Sequence, residues 1–356
     1  MGRITTKPTK QLNKKERSGY FMPITRPTKS INDISFSVLD LAPVVQGGTP
    51  SQSFQHSIEL AQLTEKLGYK RYWLAEHHNM PGIASSATSL VIGHVAAHTS
   101  TIRVGSGGIM LPNHSPLVIA EQFGTLEAMF PGRIDLGLGR APGTDQRTAQ
   151  ALRGANYANG DDFPQQLEQL HAYFQGSGAI RAIPGEGAKI PIWLLGSSGF
   201  SARLSAQLGM PFAFASHFSP ENTLPALKLY YENFQPSEDY KEPYAMVAVN
   251  VIAADTDEEA EFLATSIKQT FLNMIRNTPS QLQPPVKNLD EMMSPYEKAI
   301  LDKQLGSTII GNPTNVKNKL KAFLDETKAD EIMVSTMVYD HHARLYSHRL
   351  VAEIFG

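Results

Sequence analysis

Cysteine is absent from the 356 residues of this chain. That excludes disulfides, thiolate metal sites, iron–sulfur clusters and a cysteine nucleophile, and it is compatible with a reducing cytoplasm, the expected location. Charge is not in excess on either side. The 32 Lys and Arg residues stand against 34 Asp and Glu, a net charge of −2, so nothing global points to nucleic acid or a membrane surface as the main partner. No uncharged apolar run reaches the roughly eighteen residues of a membrane span, and no charged start leads into an apolar signal core. Low-complexity tracts are missing as well. Charged residues make up only 19%, too few for a disordered chain, while 41% hydrophobic residues suffice for a sizeable core.

The first thirty residues depart from this balance. Arg3, Lys7, Lys10, Lys14, Lys15, Arg17, Arg26 and Lys29 face only Glu16. With Pro8, Pro23 and Pro27 and no helical period, residues 1–33 read as a basic extension, flexible or wrapped on a surface.

From Ile34 onward, short β-rich apolar runs alternate with stretches of helical period, the pattern of βα units around a parallel sheet. Strands are predicted near Ile34, Lys70, Ile102, Ile134, Pro191, Phe212, Met246 and Glu331. Helices are expected after them, near 54–67, 86–99, 116–129, 163–175, 200–209, 221–234, 256–275, 313–326 and 340–355, the first capped by Ser53 and the third by Ser115 before Pro116. Eight strands with helices between them predict an α/β fold: one (β/α)8 TIM barrel over residues 34–356, with an open doubly wound sheet as the alternative. Insertions follow strand four (residues 141–190) and strand seven (276–307). Both are lid candidates or ordinary surface excursions, since loops after a barrel strand's C-terminal end build active sites.

Four segments could carry chemistry. Glu76-His77-His78 closes the second strand. Side chains alternate along a strand, so one histidine at most faces the cavity; it could be a general acid or base or a satisfied structural group. No spaced partner such as HExxH supports a metal, and no metal site is expected. Val104-Gly105-Ser106-Gly107-Gly108 puts glycines inside a β-branched run, as close approach of a flat ligand or tight barrel packing would require. Arg140 stands at the end of strand four among glycines with GxGxxxG spacing, which is not the dinucleotide fingerprint. It could clamp a phosphate or form a loop salt bridge. Leu195-Gly196-Ser197-Ser198-Gly199-Phe200-Ser201 runs from strand five into a helix, either a phosphate cradle or a simple N-cap. A GxSxG elbow is missing, which argues against hydrolase chemistry.

Taken together, AEHHNMPG, IRVGSGGIMLPNHSP, FPGRIDLGLGRAPG and LLGSSGFSA, in this order at barrel spacing from Ile34 to Phe355, resemble the bacterial luciferase-like flavin monooxygenases, in their single-chain, alkanal-monooxygenase-like branch. The resemblance implies a barrel enzyme that uses reduced FMN and O2 to oxidise a small organic substrate, an aldehyde among the candidates. It implies that His77 is catalytic and assists proton transfer beside the flavin. Gly107 and Gly108, joined by a cis peptide, would lie behind the ring, and Arg140, Gly196, Ser197, Ser198 and Ser201 would hold the phosphate. It further implies a flavin reductase as the source of reduced FMN, and a homodimer formed through the helices near 86–99 and 116–129. Two departures bear on this. The luciferase α chain has a cysteine before the arginine and an acidic residue opening the strand-five cradle; Gly139 and Ser197 stand here, which weakens an inference of light emission. A non-catalytic flavin-binding barrel and an F420-dependent hydride carrier remain the alternatives.

Overall fold

The computed structural model describes residues 23–154 and 160–356. Eight parallel strands close into a ring: β1 (Ser35–Asp40), β2 (Arg71–Leu74), β3 (Arg103–Met110), β4 (Ile134–Gly139), β5 (Ile192–Gly196), β6 (Phe212–Ala215), β7 (Ala245–Ala253) and β9 (Glu331–Ser335), with β6 on β7 and β9 on β1 completing it. These are the eight strands the apolar runs predict. The ninth, β8 (Ile309–Gly311), pairs only with the far end of β7, where Val251 faces Ile309. Three residues long, it is too short to show a period, and the sequence reading missed it.

Strand alternation sorts the side chains. Leu39, Trp73, Trp193, Met246 and Met333 fill the barrel interior, whereas Val38, Tyr72, Leu74, Val104, Leu136 and Leu194 join the core beneath the helices. Both faces are buried, which is why the strands read as continuous apolar runs. The N-terminal end of the barrel is closed by charge. Arg71 lies 2.7 Å from Asp135 and 3.0 Å from Glu331, and Trp73 Nε1 donates to Asp135 at 3.1 Å. Burial works against the Arg71 charge, but the two carboxylates outweigh it and raise its pKa.

The helices α1 (Pro50–Lys66), α2 (Thr88–Ala97), α3 (Pro116–Met129), α5 (Phe163–Gln175), α6 (Gly199–Leu208), α7 (Thr223–Asn233), α8 (Asp257–Ile275), α10 (Pro313–Thr327) and α11 (His341–Phe355) fall where the periodicity puts them. One cap is corrected. Thr49, not Ser53, opens α1: its side chain accepts from Gln52 N, Gln52 answers to Thr49 N, and Pro50 takes the first turn. Ser53 is buried one turn inside.

The first insertion contributes the short helix α4 (Gln146–Arg153) ahead of α5. The second contributes α9 (Pro295–Gln304), opened by a capping box between Ser294 and Glu297. It is tied down along the β1 loop: Gln46 N donates to the Leu282 carbonyl at 2.8 Å and Leu282 N to the Val44 carbonyl at 2.9 Å. Leu282 enters a second apolar core with Ile252, Phe271, Leu301 and Met337. Residues 276–307 thus line this side of the mouth, anchored by Leu282, Leu289 and Leu301 with most other side chains at least partly exposed. Of the N-terminal extension, residues 23–33 run under the barrel, where Arg26 grips buried Asp330 through two bonds of 2.7 and 2.8 Å; residues 1–22 lie outside the described residues. No described helix is long and apolar enough to cross a membrane.

Candidate active site

The C-terminal ends of the strands carry the candidate residues. Beyond β2, alternation sends Glu76 and His78 to one side and His77 to the other. Glu76 is fully buried. Its carboxylate accepts from His78 Nε2 at 2.8 Å, Met110 N at 2.9 Å, His114 Nε2 at 2.9 Å and Asn113 Nδ2 at 3.0 Å. Burial alone would raise its pKa, but the bonds from His114 and His78 outweigh it and bring it down to about 2. Asn113 also donates to the Pro142 carbonyl at 2.9 Å and accepts from Arg153 Nε at 3.0 Å. One carboxylate therefore fastens the loops after β2, β3 and β4 together, and His78 belongs to that clamp.

His77 is free of it. Its Nδ1 is shut off from solvent and has no hydrogen-bond partner. Burial, reinforced by His78 and opposed by the Glu76 charge, lowers its pKa to about 4, so the ring is neutral at pH 7. A neutral imidazole keeps one N–H donor and one lone pair available.

Along β3 the Gly107–Gly108 peptide is cis, and the pairing with β4 shifts register between Gly107 and Ile109. A Cβ on Gly107 would lie 2.9 Å from Leu39 Cδ1, and one on Gly108 2.9 Å from the Gly137 carbonyl oxygen. The barrel's own packing thus requires a glycine at 108, where the obstacle is backbone, whereas at 107 the obstacle is the movable end of the Leu39 side chain.

At β4 and β5, Arg140 and the start of α6 come together. The Arg140 guanidinium stacks over the Phe200 ring at 4.1 Å and has no salt-bridge partner among the described residues. Ser198 is the N-cap of α6, in an extended conformation, yet its side chain makes no capping bond, so the first N–H groups of α6 have no side-chain acceptor from it. Ser201 is buried against Gly196, where an added Cβ would stand 2.8 Å from Ser201 Cβ. The Ser197 carbonyl accepts from Ser219 Oγ at 3.1 Å. Arg140, Phe200 and the start of α6 thus come together in one positively charged corner.

Sequence reasoning assigned no role to Asn113, His114, Phe200, His217 or Asn250. The first two stand in the same LPNHSP run as the glycine strand. A polar pair directly after a strand is a signal that can be read; the dependence of both residues on Glu76 is not.

Four histidines are held neutral by burial: His77, His217 and His341 with pKa values lowered to about 4, and His348 to about 3. Each takes up a proton more readily in the unfolded chain. Their stabilisation is therefore complete above pH 6.5 and lost as the pH falls from 6.5 toward 4, by at most about 1.4 kcal/mol per pH unit for each group. The melting temperature is expected to drop steadily across that window. His348→Leu should flatten the drop, because both nitrogens of this fully buried ring are unpartnered. Calorimetry from pH 7.5 to 4.5 checks both, and equal slopes in the two proteins would contradict the assignment.

Comparison with known proteins identifies the family. The sequence model of the luciferase-like monooxygenases matches residues 34–331. A luciferase-like monooxygenase of Escherichia coli is 53% identical over 324 residues, covering 90% of this chain and 97% of that protein. An N-acetyl-S-alkylcysteine monooxygenase of Bacillus subtilis is 32% identical over 331 residues, covering 90% and 98%. The crystal structure of apo-MsnO8 matches with a TM-score of 0.84 at 38% identity, over 90% of this chain and 98% of that one. Two more distant structures share the fold alone: the oxygenating constituent of 3,6-diketocamphane monooxygenase of Pseudomonas putida in complex with FMN, covering 90% of this chain and 97% of that one at TM-score 0.70 and 17% identity, and an F420-dependent tetrahydromethanopterin reductase of Methanopyrus kandleri, covering 90% and 98% at 0.61 and 15%. The chain belongs to the luciferase-like monooxygenase family.

Proposed function

We propose that this protein is an FMN-dependent monooxygenase that takes reduced FMN from a separate flavin reductase and uses O2 to oxidise a small organic substrate. The observation that carries the reading is the Arg140 corner: a guanidinium without a carboxylate partner among the described residues, levelled by Phe200, beside helix N–H groups that the Ser198 side chain leaves uncapped. These residues fit a phosphate monoester, which accepts bidentate Arg bonds and helix N–H donors together. Ser197, Ser198 and Ser201 add hydroxyl groups to the same grip. Reduced FMN, when bound, supplies the two electrons by which one oxygen atom of O2 enters the substrate and the other leaves as water.

The chain's own residues do the rest. Glu76 holds three loops in register, and His77, neutral at pH 7, offers a nitrogen to accept or return a proton at the mouth. The segment 276–307 limits water on one side. The substrate is an aldehyde or, as the name of the B. subtilis relative suggests, a thioether. We also place the reaction in the cytoplasm and expect a homodimer through α2 and α3, on which Leu90, Val118 and Met129 stand exposed.

Anaerobic titration with reduced FMN, followed by 18O2 and a panel of aldehydes and thioethers, tests the reading. Saturable binding and a labelled product are expected. Failure to bind, binding without oxygen transfer, or a copurifying deazaflavin would overturn it. In the same assay His77→Ala is expected to lower turnover about 100-fold, with FMN affinity within about three-fold of the parent.

A further inference from the structure

We propose that His217 is a second catalytic imidazole of this mouth, which hydrogen-bonds an uncharged polar group of the substrate from the side opposite His77. The proposal rests on the monooxygenase reading above and adds a residue and a substrate class to it.

Position comes first. His217 lies two residues beyond the end of β6, as His77 lies just beyond β2. In the closed ring these strands are four apart in either direction, so the two rings arise on opposite walls of one opening. His77 is also close enough for its charge to oppose protonation of His217.

Each ring has a buried Nδ1 without a hydrogen-bond partner of good geometry among the described residues, although the Ala248 carbonyl lies within reach of the His217 ring. A structural histidine normally satisfies both nitrogens, because a buried polar atom left unpaired costs roughly 1–3 kcal/mol. His348, with both nitrogens unpaired in the core, shows that such an atom alone does not mark a ligand; two of them at one barrel mouth point to a shared partner that the described residues do not provide.

The turn carrying His217 is held more firmly than a surface turn needs. Buried Asn250 on β7 donates from Nδ2 to the His217 carbonyl at 2.7 Å. Ser307, from the second insertion, donates to the Ser216 carbonyl at 2.7 Å, and Thr223 Oγ1 donates to Ser216 Oγ at 2.8 Å. The ring itself meets Phe218 edge-on, with centroids 5.0 Å apart.

Charge then limits the substrate. Burial comes first and His77 second in holding His217 neutral, with the Ala248 carbonyl opposing them, while Glu76 and His78 act on His77. The Glu76 carboxylate is spent on its clamp. At neutral pH the pair is uncharged; the His217 N–H is drawn to the Ala248 carbonyl, so His217 offers a lone pair while His77 offers a donor or a lone pair, a pairing suited to a hydroxyl group and not to a carboxylate.

Two measurements decide the matter. In the flavin-free protein, NMR of the imidazole carbons from pH 7.5 to 4 should show His217 titrating higher in His77→Gln than in the parent, by about half a unit or more, as removal of a like charge requires. An unchanged titration would mean the rings do not face one another and overturns the proposal whether or not the protein turns over. In the oxygenation assay, His217→Ala should lower kcat/KM about 100-fold with FMN affinity within about three-fold, and His217→Asn, which keeps a donor and an acceptor, should recover part of it. Turnover of His217→Ala within about three-fold of the parent, with an unchanged KM, overturns the role of His217 while leaving the monooxygenase reading intact. Absence of turnover in the parent would overturn the monooxygenase reading and the catalytic role of His217 that rests on it. Circular dichroism and the milder Asn250→Ala variant separate loss of the ring from loss of the fold.

Discussion

Arg140→Met is expected to weaken FMN binding about 100-fold while leaving riboflavin binding within about three-fold. The two ligands differ only in the phosphate, so the comparison isolates the group Arg140 is proposed to hold. Methionine keeps an apolar stem for Phe200, which limits collapse of the corner, but removes the guanidinium that stacks on that ring at 4.1 Å. Truncating one partner of a hydrogen-bonded charge pair costs roughly 2–5 kcal/mol, and about 3 kcal/mol corresponds to the expected factor. Quenching of flavin fluorescence, with each ligand titrated at two salt concentrations, measures it. FMN affinity should fall with added salt in the parent and respond much less in the variant. An equal loss for FMN and riboflavin would instead assign Arg140 to shaping the pocket.

The barrel was legible because its physics is local and repeated. Each strand is buried on both faces, so runs such as Ile192 to Leu195 and Phe212 to Ala215 are apolar throughout, and each helix that follows has its own period and stops. Arg140 and the serine turn were legible for a related reason: a barrel sends the ends of adjacent strands to one rim. What failed to show were contacts between segments far apart in sequence. Nothing near Glu76 announces that Met110, Asn113 and His114 will converge on it, and the histidines beside it drew the attention that the carboxylate deserves by its bonding. The start of α1 is legible as well, since Thr49-Pro50-Ser51-Gln52 is a local capping box, and the expectation of Ser53 overlooks it. Phe200 was seen as a helix residue, since a guanidinium stacked from another strand leaves no trace in local spacing. His217 was passed over because a lone histidine after a strand is ordinary until the opposite wall of the ring is known.

Glu76→Gln is expected to cost about 3–5 kcal/mol of stability and to lower turnover more than about 100-fold, without any direct contact between Glu76 and substrate. The carboxylate receives four donors, and a glutamine offers them one oxygen and turns an NH2 group toward the rest, so either the Met110 amide or the His78 and Asn113 donors lose their acceptor. The loops after β2, β3 and β4 then loosen together, which should appear as faster hydrogen exchange at the Met110 amide. The pH dependence distinguishes this clamp from the buried histidines. A carboxylate whose pKa is lowered from an ordinary 4.5 to about 2 contributes stability that is full above pH 4.5 and lost as the pH falls from 4.5 toward 2. Urea midpoints of the parent should therefore fall in two stages, first between pH 6.5 and 4 as histidines charge, then below 4.5 as Glu76 is protonated. In Glu76→Gln the second stage should shrink and the first persist. A variant as stable and active as the parent would show that the loops are held by their own packing, and His77 would then need no carboxylate beside it to stay in place.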